Sequence, residues 1–226
     1  MWRNFNFIEY RKSLELSKDD FYEIDKFCKE LNIEWFCTIH DKESLDFIKT
    51  FNVPFYKVAS IDVSNDKLID EVLQICKEEK KPIIVSVGGK DLKFIDSLLA
   101  KMQSADIECY LLHAVSIYPT PIGKNNINFI DILNKKYANE KTHIGYSGHE
   151  IGFAPTVYAA MKDIKMIERH FTLSKDWKIH HIASALTPDE YETMVNIISD
   201  IKIEKDMTPI EYHSDELNFL ERFEYK

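Results

Sequence analysis

Cysteine is scarce in this chain. Cys28, Cys37, Cys76 and Cys109 form neither a C-x-x-C pair nor a metal-ligand spacing, and their apolar neighbours predict buried free thiols. No stretch approaches the roughly 20 apolar residues of a membrane span. The opening Met1-Trp-Arg-Asn-Phe-Asn-Phe7 lacks the apolar core of a secretory signal, so the expectation is a cytoplasmic protein with no membrane partner. Positive charge is in deficit: 29 Lys and Arg against 38 Asp and Glu give a formal charge of −9, which argues against a nucleic-acid partner and favours small molecules. With 6 glycines and 7 prolines, no Pro-, Gly- or Ser-rich linker divides the chain, and there is no low-complexity segment or close repeat. Nucleotide-binding G-x-G-x-x-G and Walker loops and the G-x-S-x-G elbow of serine hydrolases are all missing, which leaves those chemistries without support.

What remains is a chain of 226 residues, 45% hydrophobic and 30% charged, suited to one domain with a substantial core. Short runs rich in β-branched and aromatic residues predict strands over 34–38, 55–60, 83–87, 109–114, 143–147 and 166–170, with starts about 21 to 34 residues apart. Between and around them, apolar residues at three-and-four spacing predict helices over 20–31, 42–51, 65–79, 91–102, 126–137, 154–162 and 187–203. Ser17, Ser64 and Thr187 are the expected N-caps, the last followed by Pro188 at the first helical position. The alternation predicts an α/β fold with parallel strands of the (β/α) TIM-barrel type. Six βα units are recognisable where a closed barrel has eight, so the barrel is expected to be incomplete. Phe5 to Tyr10 is the single strand-like run before residue 17. Residues 1–203 are expected to form the barrel domain and 204–226, with Phe219, Leu220 and Phe223, a C-terminal tail.

Chemistry-bearing residues gather at the carboxyl ends of these strands. His149, in Gly145-Tyr-Ser-Gly-His149, and His170, in Ile167-Glu-Arg-His170, each close an apolar run, and adjacent parallel strands aim such residues into one crevice. One such histidine alone is more often a satisfied core residue; two in register point to a shared metal ion. Thr38, Ser60, Ser86 before Val87-Gly-Gly89, Ser116, Tyr118 and Ser147 fall near the same ends, and hydroxyls around Lys57 suit a phosphate. Lys57 lies in an otherwise apolar strand where an unpaired ammonium would be costly. Glu168, on the face of His170 but deeper, is its expected structural partner. His113 reads as a core histidine and Lys77 to Lys81 as a solvated helix end.

In their order, Lys57-Val-Ala-Ser60, Pro82-Ile-Ile-Val-Ser-Val-Gly88, Leu112-His-Ala-Val-Ser-Ile-Tyr-Pro-Thr-Pro121, Gly145-Tyr-Ser-Gly-His149 and Glu168-Arg-His-Phe-Thr172 resemble the strand-end motifs of sialic acid (N-acetylneuraminate) synthases. Leu14 to Asp20 and Asp41 to Ser44 look like the family's helix starts, and the resemblance covers about residues 13–200. It implies a transferase with a barrel that condenses phosphoenolpyruvate with the open-chain aldehyde of an N-acetylated hexose, giving a nine-carbon 2-keto sugar acid and phosphate. A divalent metal, usually Mn2+, would be held by His149 and His170 and polarise the aldehyde while carbon 3 of phosphoenolpyruvate attacks. By the same resemblance, Thr38, Lys57, Ser60, Ser86, Ser116 and Ser147 would bind phosphoenolpyruvate, Lys57 stabilising charge in both steps. Tyr118 and Asp62 would contact the sugar, Asp62 in place of a common Glu.

The pattern also departs from the family. Strands ending in a catalytic Glu and in Lys-x-Gln, and the C-terminal antifreeze-like domain, are not found. Gly148 stands where Asp is usual, removing a carboxylate behind the metal ligand. The ungapped reading of Ile179-His-His-Ile182 puts His181 at an Asp of the family, leaving its role open. A homo-oligomer or a companion chain completing the barrel is therefore expected, with a non-catalytic or partner-dependent homologue that keeps metal and anion binding as the alternative.

Overall fold

The computed structural model describes residues 7–209 and 214–222. Its elements run α1 (Phe7–Ser13), α2 (Lys18–Glu30), α3 (Lys42–Ile48), β1 (Tyr56–Val58), α4 (Asp66–Glu79), β2 (Ile83–Ser86), α5 (Leu92–Ser104), β3 (Cys109–Ala114), α6 (Phe129–Tyr137), β4 (Thr142–Gly148), α7 (Ala154–Ala160), β5 (Met166–Arg169), a 3-10 turn (Ile182–Ser184), α8 (Pro188–Asp206) and α9 (Ser214–Glu221). The strands form one parallel sheet in chain order, β1-β2-β3-β4-β5. Helices cover its outer face, where Leu45, Ile69, Val72, Ile95, Met102 and Ile130 pack on Val58, Ile83, Val85, Leu111 and Ile144. Because both faces are enclosed, β2 is buried at every position, which is why these strands read as unbroken apolar runs.

The sheet curls strongly into a half-barrel. In a flat sheet, four spacings of about 4.8 Å would set β1 and β5 about 19 Å apart, beyond the joint reach of a lysine and a glutamate. Yet Lys57 Nζ on β1 lies 3.4 Å from Glu168 Oε2 on β5. The parallel barrel-type architecture is thus the one expected from the sequence.

Several details differ. Residues 34–38 make no strand: Thr38 alone bridges Lys57, and Ile39 N–H donates to the Lys57 carbonyl at 2.9 Å. The preceding residues are drawn off the sheet, since Trp35 packs edge-on against Phe51 and donates its Nε1–H to Asp25 of α2 at 3.1 Å. At the other edge an unforeseen segment joins β5: Leu186 bridges Phe171, its N–H donating to the His170 carbonyl at 2.8 Å. The run Phe5 to Tyr10 is helical from Phe7, with Glu9 in the first turn and Arg11 and Lys12 in the last, a charge order that suits the helix dipole; residues 5 and 6 lie outside the described residues. Asn65, not Ser64, caps α4, its Oδ1 accepting from Leu68 N–H at 3.3 Å. Ser17 and Thr187 cap α2 and α8 with reciprocal capping boxes through Asp20 and Glu190. Cys76 and Cys109 are buried, but Cys28 and Cys37 are half-buried: Cys28 sits on α2, which buries no residue, and Cys37 in the irregular segment that follows it. Helix α8 continues past 203 to Asp206, and α9 follows; Phe223 lies outside the described residues. Among the described residues no helix is long and apolar enough to cross a membrane.

Candidate active site

Beyond the carboxyl ends of β4 and β5, His149 and His170 face each other with ring centroids 5.4 Å apart. Strand alternation aims both inward, and parallel pairing of Ser147 with Glu168 sets them at the same level. His149 Nδ1 lies 2.9 Å from the Val115 carbonyl, which only accepts, so Nδ1 carries the hydrogen. The Nε2 lone pair then points toward Ser147 Oγ, 3.4 Å away, whose own hydrogen goes to Glu168 Oε1 at 2.7 Å. Burial pushes His149 below the ordinary imidazole pKa. His170 falls further, to about 4, through burial and then the neighbouring His149 and His181. Neutral imidazoles with open lone pairs are what a metal ion requires.

Two more rings complete the cluster. Tyr118 lies 4.3 Å from His149, 5.9 Å from His170 and 4.0 Å from His181, centroid to centroid. His181, whose role the sequence left open, stands 5.4 Å from His170. It gets there through a left-handed backbone (φ 63°) at the start of the 3-10 turn, which no periodicity in the sequence reveals. Burial, and next Glu168, raise the Tyr118 hydroxyl above its usual range.

The hydroxyl-bearing residues line the same inner face. Lys57 is 6% exposed with Glu168 as its partner, as expected for a charge in an apolar strand. Ser60 Oγ accepts from Gly88 N–H at 2.9 Å. A Cβ at Gly88 would lie 2.6 Å from Ser116 Oγ and 2.9 Å from Ser60 Oγ, so the glycine keeps these hydroxyls close to bare backbone. Ser86 Oγ is buried without a hydrogen-bond partner. Thr38 sits at the sheet edge beside Lys57. Asp62 is engaged elsewhere, 2.6 Å from Nδ1 of the exposed His40. His113, expected in the core, is buried with Nε2 2.9 Å from the Asn125 carbonyl.

Behind the histidines lies a buried ion pair that sequence reasoning missed. Arg169 Nη1 donates to Glu150 Oε1 at 2.7 Å and to Thr156 Oγ1 at 2.7 Å, with both charged side chains wholly enclosed. Arg169 Nη2 donates to the carbonyls of Glu150, Gly152 and Ser184 at 3.0, 2.8 and 3.1 Å. Glu150 also accepts from Thr156 N–H at 3.1 Å and Tyr146 Oη–H at 3.0 Å. A Cβ on Gly148 would meet Glu150 Oε2 and Thr156 Oγ1 at 2.9 Å each. The Glu150 carboxylate therefore lies in the space beside Gly148 that a side chain there would need. The available signal was charge placement: each of the two residues adjoins a site histidine within an apolar stretch.

The NeuB family profile matches residues 1–207. The chain belongs to the NeuB family. Among its relatives, N-acetylneuraminate-9-phosphate synthase of Drosophila melanogaster is 32% identical over 196 residues, covering 86% of this chain and 51% of that protein. N,N'-diacetyllegionaminic acid synthase of Legionella pneumophila is 28% identical over 197 residues, covering 85% and 53%. The chain thus spans about half the length of these curated relatives. In three dimensions it matches the N-acetylneuraminic acid (sialic acid) synthetase of Leptospira borgpetersenii, solved with citrate, at a TM-score of 0.80 and 24% identity over 98% of this chain and 76% of that one.

Membership of the NeuB family bears out the resemblance to sialic acid synthases and the barrel-type fold. The chemistry of the site can be weighed on its own geometry. Two neutral imidazoles, that of His149 with its Nε2 lone pair open, fit a divalent ion as a partial ligand set, while among the described residues no group of three His, Cys, Asp or Glu side chains forms a metal cluster. The orphaned Ser86 hydroxyl, the Gly88 cradle and Lys57 fit an anion.

Proposed function

We propose that this chain forms the phosphoenolpyruvate- and metal-binding face of a synthase that joins phosphoenolpyruvate to an N-acetylated hexose, yielding a nine-carbon 2-keto sugar acid and phosphate. The observation that carries this reading is the unpartnered Ser86 hydroxyl, buried on the inner face that also bears Lys57 and the Gly88 cradle. A buried hydroxyl left without a partner is costly unless a ligand supplies one. In this reading Ser60, Ser86, Ser116, Ser147 and Thr38 hydrogen-bond phosphoenolpyruvate, and Lys57 balances its charge, with Glu168 holding the ammonium in place. His149 and His170 hold a divalent ion, Mn2+, which supplies Lewis-acid polarisation of the aldehyde. Tyr118, wedged among the three imidazoles, bounds the sugar side of the pocket. Asp62 joins it only by exchanging His40 for a sugar hydroxyl.

A second reading, binding without turnover by the chain alone, is favoured by the sheet edges: Thr38 and Leu186 each make one isolated bridge, and among the described residues no further strand closes the barrel between them. A second copy or a companion chain would then complete the site. Calorimetric titration with Mn2+ and phosphoenolpyruvate tests both readings. We expect each ligand to bind the wild type, with Mn2+ affinity falling at least about tenfold in His170→Ala. Phosphate release with added hexose would select the first reading, and binding without release the second. A folded wild type that binds neither ligand overturns both.

A further inference from the structure

The Glu150–Arg169 pair is out of place as a stabilising device. Both side chains are fully enclosed, and a buried ion pair rarely stabilises a fold more than apolar residues of similar volume would. What the pair does instead is fix backbone. Glu150 follows His149 directly, and Arg169 directly precedes His170. Through its two terminal nitrogens the guanidinium ties the end of β5 to the loop carbonyls of Glu150 and Gly152 and to Ser184, at the end of the 3-10 turn that His181 begins. The same turn reaches back to the histidines: Ser184 Oγ donates to the His149 carbonyl at 2.7 Å, and Leu186 N–H donates to the His170 carbonyl at 2.8 Å. One charged pair therefore joins the three segments that carry the three imidazoles, from the side of the chain opposite to the rings.

The space for this pair depends on residue 148. Tyr146 Cε1, Glu150 Oε2 and Thr156 Oγ1 would lie 2.8, 2.9 and 2.9 Å from a Cβ there, so the Glu150 carboxylate occupies the volume that a side chain at 148 would fill. Only a residue without a Cβ at 148 leaves room for this carboxylate beside the buried Tyr146 ring and Thr156.

We propose that Glu150 and Arg169 are positioning residues for the imidazole cluster, their ion pair seated in the space left by Gly148 and locking the backbone of His149, His170 and His181 in the geometry that receives a divalent ion. This deepens the metal-site reading above and rests on it for the ion. The locking itself is a property of the metal-free chain and is tested without metal.

The test uses nitrogen-15 spectra of the imidazoles and Mn2+ calorimetry on the full chain. The variants are Glu150→Gln and Glu150→Ala. The wild type is expected to show His149 as a single Nδ1–H tautomer, as its bond to the Val115 carbonyl requires. Glu150→Gln keeps the shape of the side chain and removes its charge. It is expected to retain the far-ultraviolet circular dichroism of the fold while the His149 and His170 signals shift or broaden, with Mn2+ affinity falling about 10- to 100-fold, the range seen when a group behind a metal ligand is removed. Glu150→Ala is expected to do the same more severely. A merely structural role would lower stability without selective change at the imidazoles. Wild-type imidazole spectra in both Glu150 variants would overturn the proposal. A wild type that does not bind Mn2+ would overturn the metal-site reading instead, with the metal-free spectra still deciding for or against the lock.

Discussion

At the scale of single residues, the fold leaves the Ser86 hydroxyl unmatched. Ser86 Oγ is buried and without a partner, so Ser86→Ala removes a desolvated polar atom and nothing that it bonds to within the chain. The expected outcome in urea unfolding is unchanged stability or a gain of about 1 kcal/mol, while phosphoenolpyruvate binding in calorimetry weakens. A loss of stability would mean that the hydroxyl has a structural partner after all. The histidines make a second prediction. Burial lowers the pKa of His113, His149, His170 and His181 in the folded state, His170 to about 4. The unfolded chain, with imidazoles near pKa 6.5, then takes up more protons in mild acid than the folded chain. These groups leave stability flat above about pH 7 and erode it as pH falls below about 6.5, with the contribution of His170 exhausted below about pH 4. The urea midpoint of the metal-free protein should fall between pH 7 and 5, and His170→Asn should make that fall shallower. A midpoint that rises on acidification would contradict the burial of these rings.

At the scale of elements, strand β4 shows how tightly neighbours approach. A Cβ at Gly145 would run into Leu112 Cδ2 and come within 2.8 Å of the Met166 carbonyl oxygen, part of the backbone of β5 that cannot turn aside. Gly145→Ala should cost about 1–3 kcal/mol, read as a lower thermal midpoint with unchanged helix content. A neutral result would show that β4 and β5 can part without loss. Most strands were legible in the sequence because strands enclosed on both faces must be apolar throughout; β3 matches its expected bounds at both ends. The edges were not legible, for opposite reasons. Trp35 and Phe36 look strand-like yet are held by aromatic partners, whereas Ala185-Leu-Thr187 is too short to register, yet pairs with β5 through Leu186. In the site, the strand-end residues were readable from the run each one closes. His181 and the Glu150–Arg169 pair were not, since a left-handed residue and a contact between a strand end and a neighbouring loop leave no periodic trace.

At the scale of the whole molecule, the open edges at Thr38 and Leu186 offer backbone N–H and C=O groups to a second chain. Sedimentation velocity of the purified chain should therefore reveal a species heavier than the 26.6 kDa protomer, and a monomer at tens of micromolar, on the order used in such runs, would count against association through these edges. The strand order has a different consequence for the birth of the chain. Each strand pairs with the one made just before it, so the sheet can grow in the order in which it leaves the ribosome. Lys57 emerges early, on β1, and its partner Glu168 arrives only with the last strand. Until then the nascent sheet carries a lone ammonium on its concave side, which keeps water there and resists premature sealing. A chain stalled after α7 would hold nearly all of its oily interior while Lys57 still waits for its counter-charge, and β5 then brings Glu168, Arg169 and His170 to the sheet together.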